Sequence, residues 1–210
     1  METPNILARE TSQEYTRTEG NVEVKDIRAY GTKAFDAPLN RLNINRRKPT
    51  PHDVEIEILY CGVCHSDLHT VRNEWHGTIY PCVPGHEIVG RIVSVGNHVS
   101  KFKVGDFAAV GCMVDSCREC EYCKQGLEQY CEPGNTLTYN SPDKYLNTRT
   151  YGGYSESIVV DEDCFVVTDC VKSLFQPARS QGKCFVSRKY ERLAVRNLVV
   201  LSRFDDSRIS

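Results

Sequence analysis

Four cysteines, Cys117, Cys120, Cys123 and Cys131, fall within the polar stretch VDSCRECEYCKQGLEQYC, residues 114–131. Thiolates are soft ligands, and the short x2 loops between the first three let the backbone curl around one ion, so C-x2-C-x2-C-x7-C suits tetrahedral zinc. Four thiolates close the coordination shell and leave no position for a substrate. The expected role is therefore structural, with unligated surface thiols as the bland alternative.

A second constellation draws on separate segments, CGVCHSDLH at residues 61–69 and PGHEIVG at residues 84–90. Cys64 and His86 offer one soft and one borderline ligand, and Glu87 adds a carboxylate that could ligate or stand just outside. Such a site can stay partly open. Singly, each residue has an ordinary reading, the cysteine as a small buried hydrophobe and the histidine as a hydrogen-bonded polar residue.

Positioning these groups requires a scaffold, and the flanking pattern is one of short strands. VEVKDIRAYG, LNRLNINRR, DVEIEILYCG, EIVGRIVSVG, DFAAVG, YSESIVV and CFVV are β-type segments separated by Gly, Pro, Asn and Asp. Val54, Ile56 and Ile58 alternate with Asp53, Glu55 and Glu57, which predicts a strand with one buried face. Only a short helix is expected, near residues 66–73. The whole reads as mainly β, barrel-like, with a cysteine-rich excursion.

The chain has 210 residues, 40% apolar and 26% charged, enough for one substantial core or two small ones. A net charge of −2 gives no basic field for nucleic acid, although residues 171–210 carry +6 and leave −8 on the rest. No apolar run is long enough for a membrane span and the start lacks a secretory h-region. Eleven cysteines are an odd number, and four stand at metal-ligand spacing, so reduced thiols in the cytoplasm fit better than disulfides. Residues 1–20 read as a flexible extension, residues 21–167 as the barrel domain, and residues 168–210 as a divergent tail of unassigned fold.

YCGVCHSDLHTVRNEW, YPCVPGHEIVGRIVSVG, the KVGD turn, VDSCRECEYCKQGLEQYC and YGGYSESIVV resemble, in order, the zinc-dependent medium-chain alcohol dehydrogenases. The likeness is to their cinnamyl-alcohol-dehydrogenase-like branch, which includes bacterial aldehyde reductases. It implies a GroES-like β-barrel catalytic domain with a four-cysteine zinc lobe. By position it implies that Cys64 and His86 ligate a catalytic zinc beside the Glu87 carboxylate, that Ser66 and His69 relay protons, and that Asp67 orients the zinc-bound histidine. Cys117, Cys120, Cys123 and Cys131 match the structural zinc. The implied reaction is reversible oxidation of an alcohol to an aldehyde with NADP or NAD. Trp75 and Tyr80 are candidates for an aromatic pocket wall beside an ordinary packing role.

The sequence departs from the family in two respects. It contains no G-x-G-x-x-G, the fingerprint of the Rossmann domain that follows the barrel in family members. The family's third cysteine ligand to the catalytic zinc has no match, since neither Cys170 nor Cys184 lies in the corresponding context. The Rossmann domain is thus expected to be absent, the catalytic zinc site incomplete, and the chain a truncated or frame-shifted product of low activity, exposing an apolar face prone to self-association. A non-catalytic zinc-binding module or scaffold is the alternative.

Overall fold

The computed structural model describes residues 22–163, together with the backbone of two short strands at residues 16–17 and 200–202. Cys170, Cys184 and the expected CFVV strand lie outside the described residues. Strands β1 (Thr16–Arg17), β2 (Glu23–Gly31) and β3 (Asn40–Arg47) form one antiparallel sheet. The larger sheet has the order β11-β4-β5-β6, from β4 (Asp53–Gly62), β5 (Glu87–Val95), β6 (Phe107–Val110) and β11 (Ser157–Asp161), with β12 (Val200–Ser202) pairing the end of β4 beyond β11. Helix α1 (His65–Val71) leads out of β4, where the short helix was expected.

The two sheets close on each other through the backbone. Tyr30 donates its N–H to the Tyr154 carbonyl at 2.7 Å, and Thr32 and Cys82 exchange N–H···O bonds of 2.9 Å. Between the sheets, Ile27, Ile44, Val54, Ile56, Ile92 and Val160 are all but inaccessible. Each such side chain contributes roughly 1.5–3 kcal/mol by leaving water.

The expectation of one buried face on β4 needs correction. Asp53 and Glu55 are buried as deeply as their apolar neighbours, on a strand that lies between β11 and β5 in its sheet. Their charges are met there, Asp53 by the Arg47 guanidinium and Glu55 by Lys25. The strict alternation also ends at a bulge between Ile58 and Tyr60. An extra residue there re-aims the strand, so that Cys61 points inward after Ile58 and the chain enters the Gly62–Cys64 loop at a new angle.

The cysteine-rich excursion has its own small elements: β7 (Met113–Asp115), α2 (Glu121–Lys124), a 3-10 turn (Glu128–Tyr130), β8 (Thr136–Leu137), and the pair β9 (Pro142–Asp143) and β10 (Thr148–Arg149). Arg118, held by Asp115 of β7 at 2.8 Å, ties it to the barrel by bonding Asp161 of β11 at 3.0 Å.

Candidate metal centres

Two groups of side chains converge at distances suited to metal. In the excursion, the sulfurs of Cys117, Cys120, Cys123 and Cys131 all lie within 4.8 Å of one another. The Cys117 and Cys123 sulfurs are 3.8 Å apart, and a tetrahedral zinc with bonds of about 2.3 Å separates two sulfurs by about 3.8 Å. Backbone donors point at the sulfurs: the Cys120 N–H reaches Cys117 Sγ at 3.3 Å and the Cys117 N–H reaches Cys131 Sγ at 3.4 Å. These N–H groups favour thiolate, and the Cys117 thiol is brought down to about 6, chiefly by the Cys120 backbone. The donor set fits zinc.

The second group is Cys64, His86 and Glu87, whose ligand atoms also lie within 4.8 Å of one another. Cys64 caps the N-terminus of α1 and Glu87 opens β5, so the site forms where the loop after β4 meets the start of its partner strand. Gly62 is opposite Glu87 in the β4–β5 register, and a Cβ at Gly62 would stand 2.1 Å from Glu87 Oε2. The glycine of YCGVC therefore makes room for the carboxylate. Gly85, at φ +102°, adopts a backbone conformation disfavoured for any residue with a Cβ, and a Cβ there would press on Tyr154 and Cys61. One soft sulfur, one imidazole and one carboxylate fit zinc with a coordination position to spare.

Asp67 binds this second group together from behind. It is buried, and its Oδ2 accepts from the Cys64 N–H at 2.9 Å and the Tyr154 hydroxyl at 3.2 Å, while its Oδ1 accepts from the Gly85 N–H at 3.0 Å. Oδ1 also stands 3.5 Å from His86 Nδ1, which leaves Nε2 as the nitrogen available to a metal. Burial pushes the Asp67 carboxyl up, but the His86 ring and the backbone donors outweigh it and hold it below the usual range. Burial likewise opposes charge on His86, and Asp67 together with the Cys112 thiol raises its pKa to about 11. The Tyr139 ring stacks on His86 with centroids 5.7 Å apart.

Ser66 and His69, the residues expected to relay protons, both lie on α1, and their side chains bond different partners. Ser66 Oγ donates to Cys64 Sγ at 3.0 Å, and His69 Nδ1 pairs with Glu74. Trp75 is exposed and lies against His69 with ring centroids 5.0 Å apart, and the Tyr80 hydroxyl bonds the Val71 carbonyl at 2.8 Å. Sequence reasoning missed Tyr139, Tyr154 and Cys112. Tyr154 stands in the YGGYSES motif, but nothing in its spacing showed that its hydroxyl reaches Asp67.

A strand-rich barrel with a four-cysteine lobe and a Cys-His-Glu cluster defines a class, and comparison with known proteins identifies it. The profile of the alcohol dehydrogenase GroES-like domain matches residues 50–169, and the chain belongs to this family. It is 59% identical to the aldehyde reductase YahK of Escherichia coli over 136 residues, which are 65% of this chain and 39% of that protein. It is 51% identical to cinnamyl alcohol dehydrogenase 7 of Oryza sativa over 137 residues, 64% of this chain and 36% of the relative. The crystal structure of CAD from Helicobacter pylori complexed with NADP(H) superimposes with a TM-score of 0.66 at 42% identity, covering 69% of this chain and 42% of that one. The matched region thus spans about two fifths of the length of these relatives. Among the described residues no helix is long and apolar enough to cross a membrane.

Proposed function

We propose that this chain carries the metal-holding part of the active site of a zinc-dependent, NADP(H)-linked alcohol dehydrogenase or aldehyde reductase that interconverts alcohols and aldehydes inside the cell. The observation that supports this most directly is the convergence of Cys64, His86 and Glu87 around one point, with Asp67 bonded across the loops that carry them. Residues 21–167 form the catalytic domain in this reading. The 59% identity to an aldehyde reductase supports the substrate class, and the NADP(H) named for the Helicobacter pylori relative supports the cofactor.

Cys64, His86 and Glu87 would hold the catalytic zinc, and Cys117, Cys120, Cys123 and Cys131 a structural one. A zinc ion at the former site supplies Lewis-acid chemistry, lowering the pKa of a bound alcohol or polarising an aldehyde carbonyl. Asp67 keeps the His86 ring oriented with its Nδ1 side occupied. Tyr139, stacked on that ring, restricts its rotation and excludes water from one side. Ser66 Oγ bonds Cys64 Sγ, and rotation about its side-chain bond would release it to accept a substrate proton while giving up its own hydroxyl proton. His69, half-exposed and paired with Glu74, would pass that proton to solvent.

Elemental analysis of the purified chain and of Cys64→Ser, alongside a titration of each with NADPH to measure binding, tests the reading. Two zinc ions per wild-type chain and one in the variant are expected. Equal zinc in both would remove the support for a catalytic centre at Cys64, and NADPH binding by neither would favour a metal-binding module without redox function.

A further inference from the structure

At one corner of the barrel the turn before β4 meets the turn after β5. His98 donates its backbone N–H to the Pro51 carbonyl at 2.8 Å, and Gly96 donates to the Asp53 carbonyl at 2.8 Å. The His52 carbonyl accepts from the Glu162 N–H at 2.9 Å. The backbones of both histidines are therefore fixed by neighbouring turns, while both rings stay exposed. Their rings meet edge to face at 67°, and His98 Nδ1 stands 3.3 Å from His52 Nε2.

That separation is informative. A tetrahedral ion with metal–nitrogen bonds of about 2.0–2.1 Å places two imidazole nitrogens about 3.3–3.4 Å apart. We propose that His52 and His98 chelate one divalent ion of borderline softness, such as zinc or nickel, at a surface site separate from the two clusters above. The site uses the neutral tautomers that carry hydrogen on His98 Nε2 and His52 Nδ1, leaving lone pairs on the two facing nitrogens. Asp163 stands near this corner but does not join the two nitrogens as a third ligand. It is half-exposed and engaged through Oδ1 by Lys101, whereas Glu162 is occupied by the N–H groups of Ser100 and Lys101, each at 2.9 Å. Bound there, the ion would cross-link the ends of β4 and β5 and stabilise the corner by mass action.

The experiment is a calorimetric titration of the zinc-loaded full chain with nickel ion, repeated on His52→Ala, His98→Ala and His98→Asn. Wild type is expected to bind one nickel ion beyond its zinc content, and each substitution to weaken that binding by about tenfold or more, since one of two imidazoles is lost. His65→Ala, an exposed histidine of α1 checked for unchanged zinc content, is the control and is expected to bind nickel as wild type does. Matching circular dichroism and melting profiles establish that the variants fold. Unchanged nickel binding in any His52 or His98 variant, loss confined to His65→Ala, or no nickel binding by wild type would overturn the proposal and leave the contact as a ring-to-ring hydrogen bond.

Discussion

Asp67→Asn separates orientation of the site from packing, because the two side chains have nearly the same volume and no cavity is created. Asp67 is 3% exposed, and each of its oxygens accepts a backbone N–H, Oδ1 from Gly85 at 3.0 Å and Oδ2 from Cys64 at 2.9 Å. An asparagine replaces one oxygen with NH2. Whichever way the amide is turned, a buried donor faces a buried donor. Such an unsatisfied group costs about 1–3 kcal/mol, and loss of the charged acceptor beside His86 adds about 1.5–3 kcal/mol before relaxation. A net loss of about 3 kcal/mol lowers the melting temperature by about 6–12 °C at 2–4 °C per kcal/mol. Thermal unfolding of the zinc-loaded protein, followed by circular dichroism with zinc counted on the same sample, reads both consequences. The expected result is the lower melting temperature with loss of the ion assigned to Cys64, His86 and Glu87, the four-cysteine ion being retained. A variant that melts within about 2 °C of wild type and keeps its full zinc would refute the assignment of Asp67 as the group that holds the site together.

Three further outcomes follow from the same structure. Gly62→Ala should remove the ion at Cys64, His86 and Glu87 while sparing the lobe, since the new Cβ falls 2.1 Å from Glu87 Oε2; intact metal content by elemental analysis would contradict this. Cys123→Ser should release the lobe zinc and expose residues 116–131 to proteolysis, leaving β4 and β5 protected in hydrogen exchange. Asp53→Asn should cost about 3–5 kcal/mol in urea unfolding, because it strands the nearly buried Arg47 guanidinium. Burial raises the Asp53 carboxyl, yet Arg47 and the Thr50 N–H outweigh it and hold the folded pKa below the unfolded value of about 3.9. The ion pair's contribution is therefore complete above about pH 4 and is lost as pH falls through the folded pKa, so the acid-side decline in stability should be shallower in Asp53→Asn than in wild type.

The strands were legible where one periodicity ruled. Val54, Ile56 and Ile58 gave β4 its inward face, and EIVGRIVSVG was readable as the strand that β5 forms. What could not be read was the second face of β4, because burial of Asp53 and Glu55 depends on Arg47 and Lys25, which arrive from strands earlier in the chain. The bulge after Ile58 was invisible for a related reason, since a bulge is a property of a pair of strands and not of one. At the candidate site, ligand types and spacing pointed to Cys64, His86 and Glu87. Tyr139 and Tyr154 did not stand out, because aromatic residues are common and only the fold brings these two against His86 and Asp67.

The two metal clusters differ in how they are built, and the difference bears on what each can do. All four lobe sulfurs come from residues 117–131, so local loops and backbone N–H groups can shape the cluster with little help from the barrel. A closed thiolate shell there can stabilise the excursion without taking part in chemistry. Cys64, His86 and Glu87 instead come from two segments that meet only when β4 and β5 are in register, with Gly62 and Gly85 giving the necessary clearance. That cluster exists only in the folded barrel, and its three donors leave a position open. Strain or mispairing anywhere along β4–β5 should therefore empty the open site before it empties the closed one.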